Sequence, residues 1–263
     1  MNKYVLIFSF LIITKVYATD GDTCRLYASE IEISSQKLEI PYNLICHVKT
    51  FRKNKFWFGG KEDYSTFTFI SPRILIGAYH ALAENASTIQ SIEVDIYAHE
   101  ENGKLVILRT LHFSKKEFSI IKPFHNSGIE NDCGLIVLNK SVSGLPTSFP
   151  KLVTLNSAKS KSSSFRISGY PYDKDISFFN GQKLWERRLS FQNTVALDSI
   201  VYYPCTRTSV GDSGGPLWFI NGDQLFLFGT HVGGNKDNFN NLWGECFNEN
   251  KIRILNEILE NNK

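Results

Sequence analysis

A chain of 263 residues with 42% hydrophobic, 13% aromatic and 21% charged residues has room for one large or two small folded units, and its composition excludes disordered or fibrous classes. The formal net charge of +3 includes Lys3 and Lys15; without residues 1–18, 27 Lys+Arg stand against 26 Asp+Glu, leaving +1. A near-neutral chain without a basic run carries no electrostatic footprint for nucleic acid or for anionic membranes, so neither is expected as a partner.

Residues 1–18 read as a secretory signal peptide. Lys3 gives the charged start, Tyr4 to Thr14 is apolar apart from Ser9, and Val16-Tyr17-Ala18 supplies small residues where a signal peptidase cuts. The run falls short of the roughly 20 residues needed to span a bilayer. The expected destination is therefore outside the cell or in a periplasm. Residues 19–39 form an N-terminal segment that maturation could remove.

Residues 40–138 carry strand patterns and are expected to form a first β-barrel. Ile74-Leu-Ile-Gly-Ala-Tyr-His80 is an apolar strand that delivers a histidine at its end. Ser91 to Tyr97 alternates apolar and polar residues, passes Glu101-Asn102-Gly103, and returns through Lys104 to Arg109 as a hairpin. Asn131-Asp132 opens the apolar run Cys133 to Leu138; a carboxylate there is costly unless paired, which marks Asp132 as a functional acid. Residues 139–163 hold Gly144, Pro146, Pro150 and a Ser/Lys stretch, the composition of a connection between two units.

Residues 164–263 are expected to form a second barrel closed by a helix. Its central feature is Gly211-Asp212-Ser213-Gly214-Gly215-Pro216: flanking glycines allow a tight turn that presents a serine hydroxyl, with the Gly211 and Ser213 amides available to a developing oxyanion. Leu217 to Ile220 and Gln224 to Gly229 form a hairpin around Asn221-Gly222, where a type I′ turn places both central residues at positive φ. Ile252, Leu255, Ile258 and Leu259 share one face of a C-terminal helix over 251–260. Five widely spaced cysteines, with no C-x-x-C pair, argue against a zinc or redox motif and leave one or two disulfides open.

The serine box also fits the nucleophile elbow of α/β-hydrolases, but that elbow needs an apolar strand before the serine, a helix after it, and Asp and His downstream. Here the polar Thr206-Arg-Thr-Ser precedes the box, a hairpin follows it, and only fifty residues remain. The chain order His80, Asp132, Ser213 is the chymotrypsin order, and that template assigns the roles of base, orienting acid and nucleophile.

Gly211–Pro216 resembles the serine signature of trypsin-like peptidases, Leu75–Leu82 a degenerate form of their histidine box, and Lys122 through Leu135 the approach to their aspartate. Ile167-Ser-Gly-Tyr-Pro-Tyr-Asp-Lys174, Leu184-Trp-Glu, Gly229-Thr-His231-Val-Gly-Gly234 and Phe247-Asn-Glu-Asn resemble segments of bacterial glutamyl endopeptidases. The likeness covers about residues 44–260. Ala78-Tyr79 replaces the usual Ala-Ala, and Ala81 and Ser209 stand where trypsins carry cysteines, so the standard disulfide map does not transfer.

The resemblance implies an all-β fold of two antiparallel six-stranded β-barrels with a C-terminal helix and the active site between the barrels. It implies a specificity pocket walled by Arg207, Thr208 and His231, with Thr208 and His231 matching the glutamyl endopeptidase pattern and Arg207 repelling basic side chains. It also implies that Val232, Gly233 and Gly234 pair with substrate backbone. A bridge between Cys205 and Cys246 is expected near that pocket. In trypsin-like enzymes a freed α-amine pairs with the residue matching Asp212, and Glu30-Ile31 or Glu32-Ile33 are bonds at which an acid-specific enzyme could trim itself. The expected protein is a monomeric secreted serine endopeptidase acting on proteins or peptides, without metal or organic cofactor. The competing class is a non-catalytic protease homologue that binds a partner through the same cleft.

Overall fold

The structure, a computed structural model, describes residues 25–27, 42–53, 61–83, 86–99, 105–124, 129–172, 181, 183–197, 199–203, 209–234 and 242–263. Apolar runs too short for helices become buried strands here. In chain order the strands are β1 (Arg25–Tyr27), β2 (Ile45–Arg52), β3 (Lys61–Ser71), β4 (Ile74–Ala78), β5 (Ile89–His99), β6 (Leu105–Ser114), β7 (Phe118–Ile121) and β8 (Cys133–Leu138). There follow β9 (Lys151–Leu152), β10 (Ser164–Gly169), β11 (Trp185–Ser190), β12 (Val195–Leu197), β13 (Ile200–Tyr203), β14 (Pro216–Asn221), β15 (Gln224–Gly234) and β16 (Leu242–Cys246). The helices are α1 (His80–Ala83), α2 (Leu155–Lys161) and α3 (Glu249–Asn261). Among the described residues no helix is long and apolar enough to cross a membrane.

Two curled antiparallel sheets result. The first runs β6-β5-β2-β3-β4-β8-β7; the second runs β1-β11-β10-β14-β15-β16-β13-β12, with β9 added in parallel to β15. This is the expected double-barrel architecture. Among the described residues the sheets hold seven and nine strands where six each were expected, and the second gains from β1 and the two-residue β9 at its margins.

Part of the stretch read as a connection belongs to the second sheet's core. Thr154 caps α2 by accepting the Ser157 amide, and Leu155 and Ala158 are buried beneath it while the Ser/Lys face stays in solvent. Arg25–Tyr27, inside the segment read as removable, pairs with β11 through Arg25↔Arg187 and Tyr27↔Trp185. The signal-peptide residues lie outside the described residues. The helix expected at 251–260 is α3, capped by the Asn248 side chain on the Lys251 amide at 2.9 Å. Its Leu255 is fully buried in the first core, with Ile252, Ile258 and Leu259 packed alongside. The β14–β15 turn is shifted one residue from expectation: Asn221 pairs with Gln224, so Gly222 and Asp223 are the central residues, and Gly222 takes the positive φ of 61°.

The expected Cys205–Cys246 bridge is not formed. Cys246 carries a free thiol facing the second core, and Cys46 and Cys133 are also free and buried. Burial pushes all three thiols up in pKa, so they remain protonated and inert at neutral pH. Cys205 lies outside the described residues.

Candidate active site between the sheets

The sheets meet around Thr66 of β3. Its amide donates to the Ser213 carbonyl at 3.0 Å, its hydroxyl donates to the Gly211 carbonyl at 2.6 Å, and it accepts the Tyr170 amide at 3.0 Å. One buried threonine of the first sheet thus holds the serine box of the second. Two glycines of that box are obligatory. Gly211 has φ 94° and a Cβ there would stand 2.2 Å from the Tyr170 carbonyl; Gly214 has φ 86° and its Cβ would stand 2.3 Å from the Thr66 carbonyl.

His80 opens α1 directly after the fully buried β4, and Asp132 sits just before β8, the neighbour of β4. The Tyr79 amide donates to the Asp132 carbonyl, and the His80 amide donates to Asp132 Oδ1 at 2.8 Å. The remaining oxygen, Oδ2, lies 2.5 Å from His80 Nδ1, and His80 Nε2 lies 3.0 Å from Ser213 Oγ. The Asp132 side chain is 12% exposed and that of His80 47%, so the acid is enclosed while the imidazole faces the cleft. Among the described residues the Gly211 and Ser213 amides have no backbone acceptor. The structure therefore brings together three side chains that sequence singled out: His80, Asp132 and Ser213.

A second His–Asp pair shows why geometry, not composition, picks the site. His47 Nδ1 lies 3.1 Å from Asp95 Oδ2 in a buried setting, and Thr110 donates to the same carboxylate at 2.6 Å. Burial works against the Asp95 charge, but the His47 and Thr110 hydrogen bonds outweigh it and hold the carboxyl below its usual range. Among the described residues no serine hydroxyl meets this pair, and His47 Nε2 is buried without a hydrogen-bond partner.

His231 is fully buried on β15, with Tyr203 Oη 2.5 Å from its Nδ1. Burial pushes the Tyr203 hydroxyl well above its ordinary pKa, so it stays a donor. Beyond His231 the strand continues as Val232, Gly233 and Gly234, past the point where β14 begins at Pro216↔Thr230. Among the described residues no strand pairs with those three on that side, and the Val232 carbonyl accepts from Ser213 Oγ at 3.4 Å. Arg207 and Thr208, expected to wall the same pocket, lie outside the described residues.

Sequence reasoning missed three charged residues behind the site. Arg187 Nη2 lies 3.4 Å from Asp212 Oδ2, with both side chains under a tenth exposed. Lys251 of α3 pairs with Glu245 of β16 at 2.6 Å, again buried. No local pattern in the sequence marks these charged residues as buried. Burial, with the Asp132 charge adding to it, pushes Glu245 up to about 7 against the opposing pull of Lys251. A carboxyl raised on folding binds its proton more tightly in the folded chain. Its contribution to stability is therefore complete below pH 4.5 and lost as pH rises through about 7. Thermal or urea melts from pH 4.5 to 8 should show wild type losing on the order of 3 kcal/mol relative to the paired variant Glu245→Gln with Lys251→Met over that window. Parallel pH dependences for the two proteins would contradict this.

The fold is that of trypsin-like serine proteases. Among solved structures similar to this chain is one of Glu endopeptidase in complex with MPD, at 18% identity, covering 92% of this chain and 98% of that one with a TM-score of 0.61. A thermostable serine protease, AL20, from an extremophilic microorganism is 16% identical, over 84% of this chain and 99% of that one, at 0.59. The protease Anisep from Arthrobacter nicotinovorans is 15% identical, over 78% and 90%, at 0.54. No protein-family model matches the chain, and no curated protein matches it.

Proposed function

We propose that this chain is a secreted serine endopeptidase that cuts peptide bonds through Ser213 and prefers an acidic residue, glutamate foremost, before the scissile bond. The observation that carries the proposal is the unbroken line from Asp132 Oδ2 through His80 to Ser213 Oγ, at 2.5 and 3.0 Å. Asp132 accepts the Nδ1 proton, which leaves Nε2 as an acceptor for the serine hydroxyl. Ser213 attacks the peptide carbonyl as His80 takes its proton, and the acyl-enzyme forms when the imidazolium returns that proton to the leaving amine. The Gly211 and Ser213 amides receive the oxyanion; loss of one such donor typically costs about 3 kcal/mol of barrier. Substrate backbone pairs with the open edge of Val232–Gly234 as an added strand.

The preference for glutamate rests on His231. A Tyr203 hydroxyl donating to Nδ1 places the ring proton on Nε2, a donor for a carboxylate, and protonation would add charge assistance. Thr208 supplies a second donor and Arg207 repels cations in this reading. The test is a matched set of peptides carrying Glu, Asp, Phe, Ala or Lys before the bond. Glu is expected to be turned over fastest, with a selective loss of at least tenfold in kcat/KM in His231→Ala. Fastest cleavage after Phe would reduce His231 to a packing residue, and cleavage after Lys would refute the pocket assignment.

A further inference from the structure

Asp132 is delivered by a short 3-10 turn, Ile129–Asn131, that packs against β16. Lys251, in the first turn of α3, reaches into that junction and uses its ammonium twice: one donor goes to the Glu130 carbonyl, another to Glu245 Oε1 at 2.6 Å. The ammonium also stands 5.0 Å from the centre of the Phe124 ring, which closes the site on the side of the first sheet. Glu245 is completely buried and Lys251 is 5% exposed. The second Glu245 oxygen, Oε2, is buried without a hydrogen-bond partner among the described residues, and the Asp132 charge acts on this carboxylate. One buried ion pair thus holds the backbone of the turn that delivers Asp132, through the Glu130 carbonyl. A buried ion pair adds little stability over apolar residues of the same volume, whereas its directional bonds fix one arrangement of whatever it holds.

We propose that Glu245 and Lys251 are positioning residues that lock the Asp132 segment in the orientation His80 requires, so that α3 is coupled to the active site; the inference rests on the catalytic reading of His80, Asp132 and Ser213. Replacing one partner alone would strand the other as a buried charge, so the informative variant is the shape-preserving pair Glu245→Gln with Lys251→Met. This double variant is expected to fold, to keep KM within twofold, and to lose at least tenfold in kcat. Its downfield proton resonance from the His80 Nδ1–H to Asp132 bond should broaden or disappear relative to wild type. A folded double variant with kcat within twofold and an unchanged resonance overturns the proposal. If the double variant does not fold, Lys251→Arg decides: its planar head keeps the charge but shifts the bond to Glu130, so threefold or greater loss in kcat at unchanged KM and Tm is expected, and unchanged kcat overturns the proposal. The catalytic reading fails separately, if Ser213→Ala hydrolyses peptides as wild type does. The resonance needs no turnover and reports on the clamp in either case.

Discussion

Ser213→Ala is expected to fold with an unaltered Tm and to lose about 10⁶-fold in kcat on peptide substrates, the scale of nucleophile removal in this type of site. The fold should tolerate the change because, among the described residues, the Ser213 side chain bonds only to groups of the cleft, His80 Nε2 and the Val232 carbonyl. What anchors residue 213 to the first sheet is its backbone carbonyl, held by the Thr66 amide, and alanine keeps that bond. His80→Ala should bring a loss of similar size, and the double variant should lose no more than either single one, because the two groups act as a unit. About 8 kcal/mol of barrier is at stake, far above what repacking an exposed imidazole could account for. Fluorophosphonate should label wild type at Ser213 and fail to label Ser213→Ala. A His80→Ala protein retaining most of its activity would show that another group is the base, and an unlabelled, inactive wild type would favour the partner-binding homologue.

The parts of the site that sequence exposed are those encoded in short strings. Gly211–Pro216 specifies its own turn because Gly211 and Gly214 need positive φ and have carbonyls where a Cβ would sit. His80 and Asp132 were legible because each abuts an apolar strand, and those strands, β4 and β8, are hydrogen-bonded neighbours. What stayed hidden depends on contacts between distant segments. Thr66 is one polar residue among several on β3, yet it meets Gly211 across 145 positions of sequence. Glu186-Arg187-Arg188 carries no local sign of burial, yet Glu186 is buried under Tyr42, whose hydroxyl donates to it at 2.7 Å. Arg187 is buried against Asp212, and only Arg188 is exposed. The Ser/Lys composition around 158–164 hid α2 because just two residues, Leu155 and Ala158, carry its attachment to the core. The cysteines misled for a related reason: Cys246 fits its apolar surroundings as a free thiol, and spacing alone could not show that.

Arg187→Met should destabilise the protein by roughly 3–5 kcal/mol, because it withdraws the cation from a buried carboxylate. Asp212 organises the turn that carries the nucleophile: its Oδ2 accepts the Ser209 amide at 3.0 Å and its carbonyl accepts the Gly215 amide at 2.9 Å. The cavity shared by Arg187, Asp212 and His231 measures about 10 Å³, room for a single water, so solvent is a poor substitute for the guanidinium. With Arg187 gone the carboxylate is expected to pull the turn toward hydration, displacing the Gly211 and Ser213 amides. A shift near 1 Å at such a site can cost about 10² in rate. Arg187→Met combined with Asp212→Asn should therefore recover much of the stability while kcat stays low, since the amide no longer draws the turn outward but the fixed ion pair is still missing. An Arg187→Met protein with wild-type Tm and kcat would remove Arg187 from this role. The same experiment bears on maturation. A freed α-amine was expected to pair with Asp212, but a cation built into β11 already meets that carboxylate, so extending the N-terminus should leave kcat unchanged. Activity abolished by such an extension, with Arg187 intact, would return the role to a released amine.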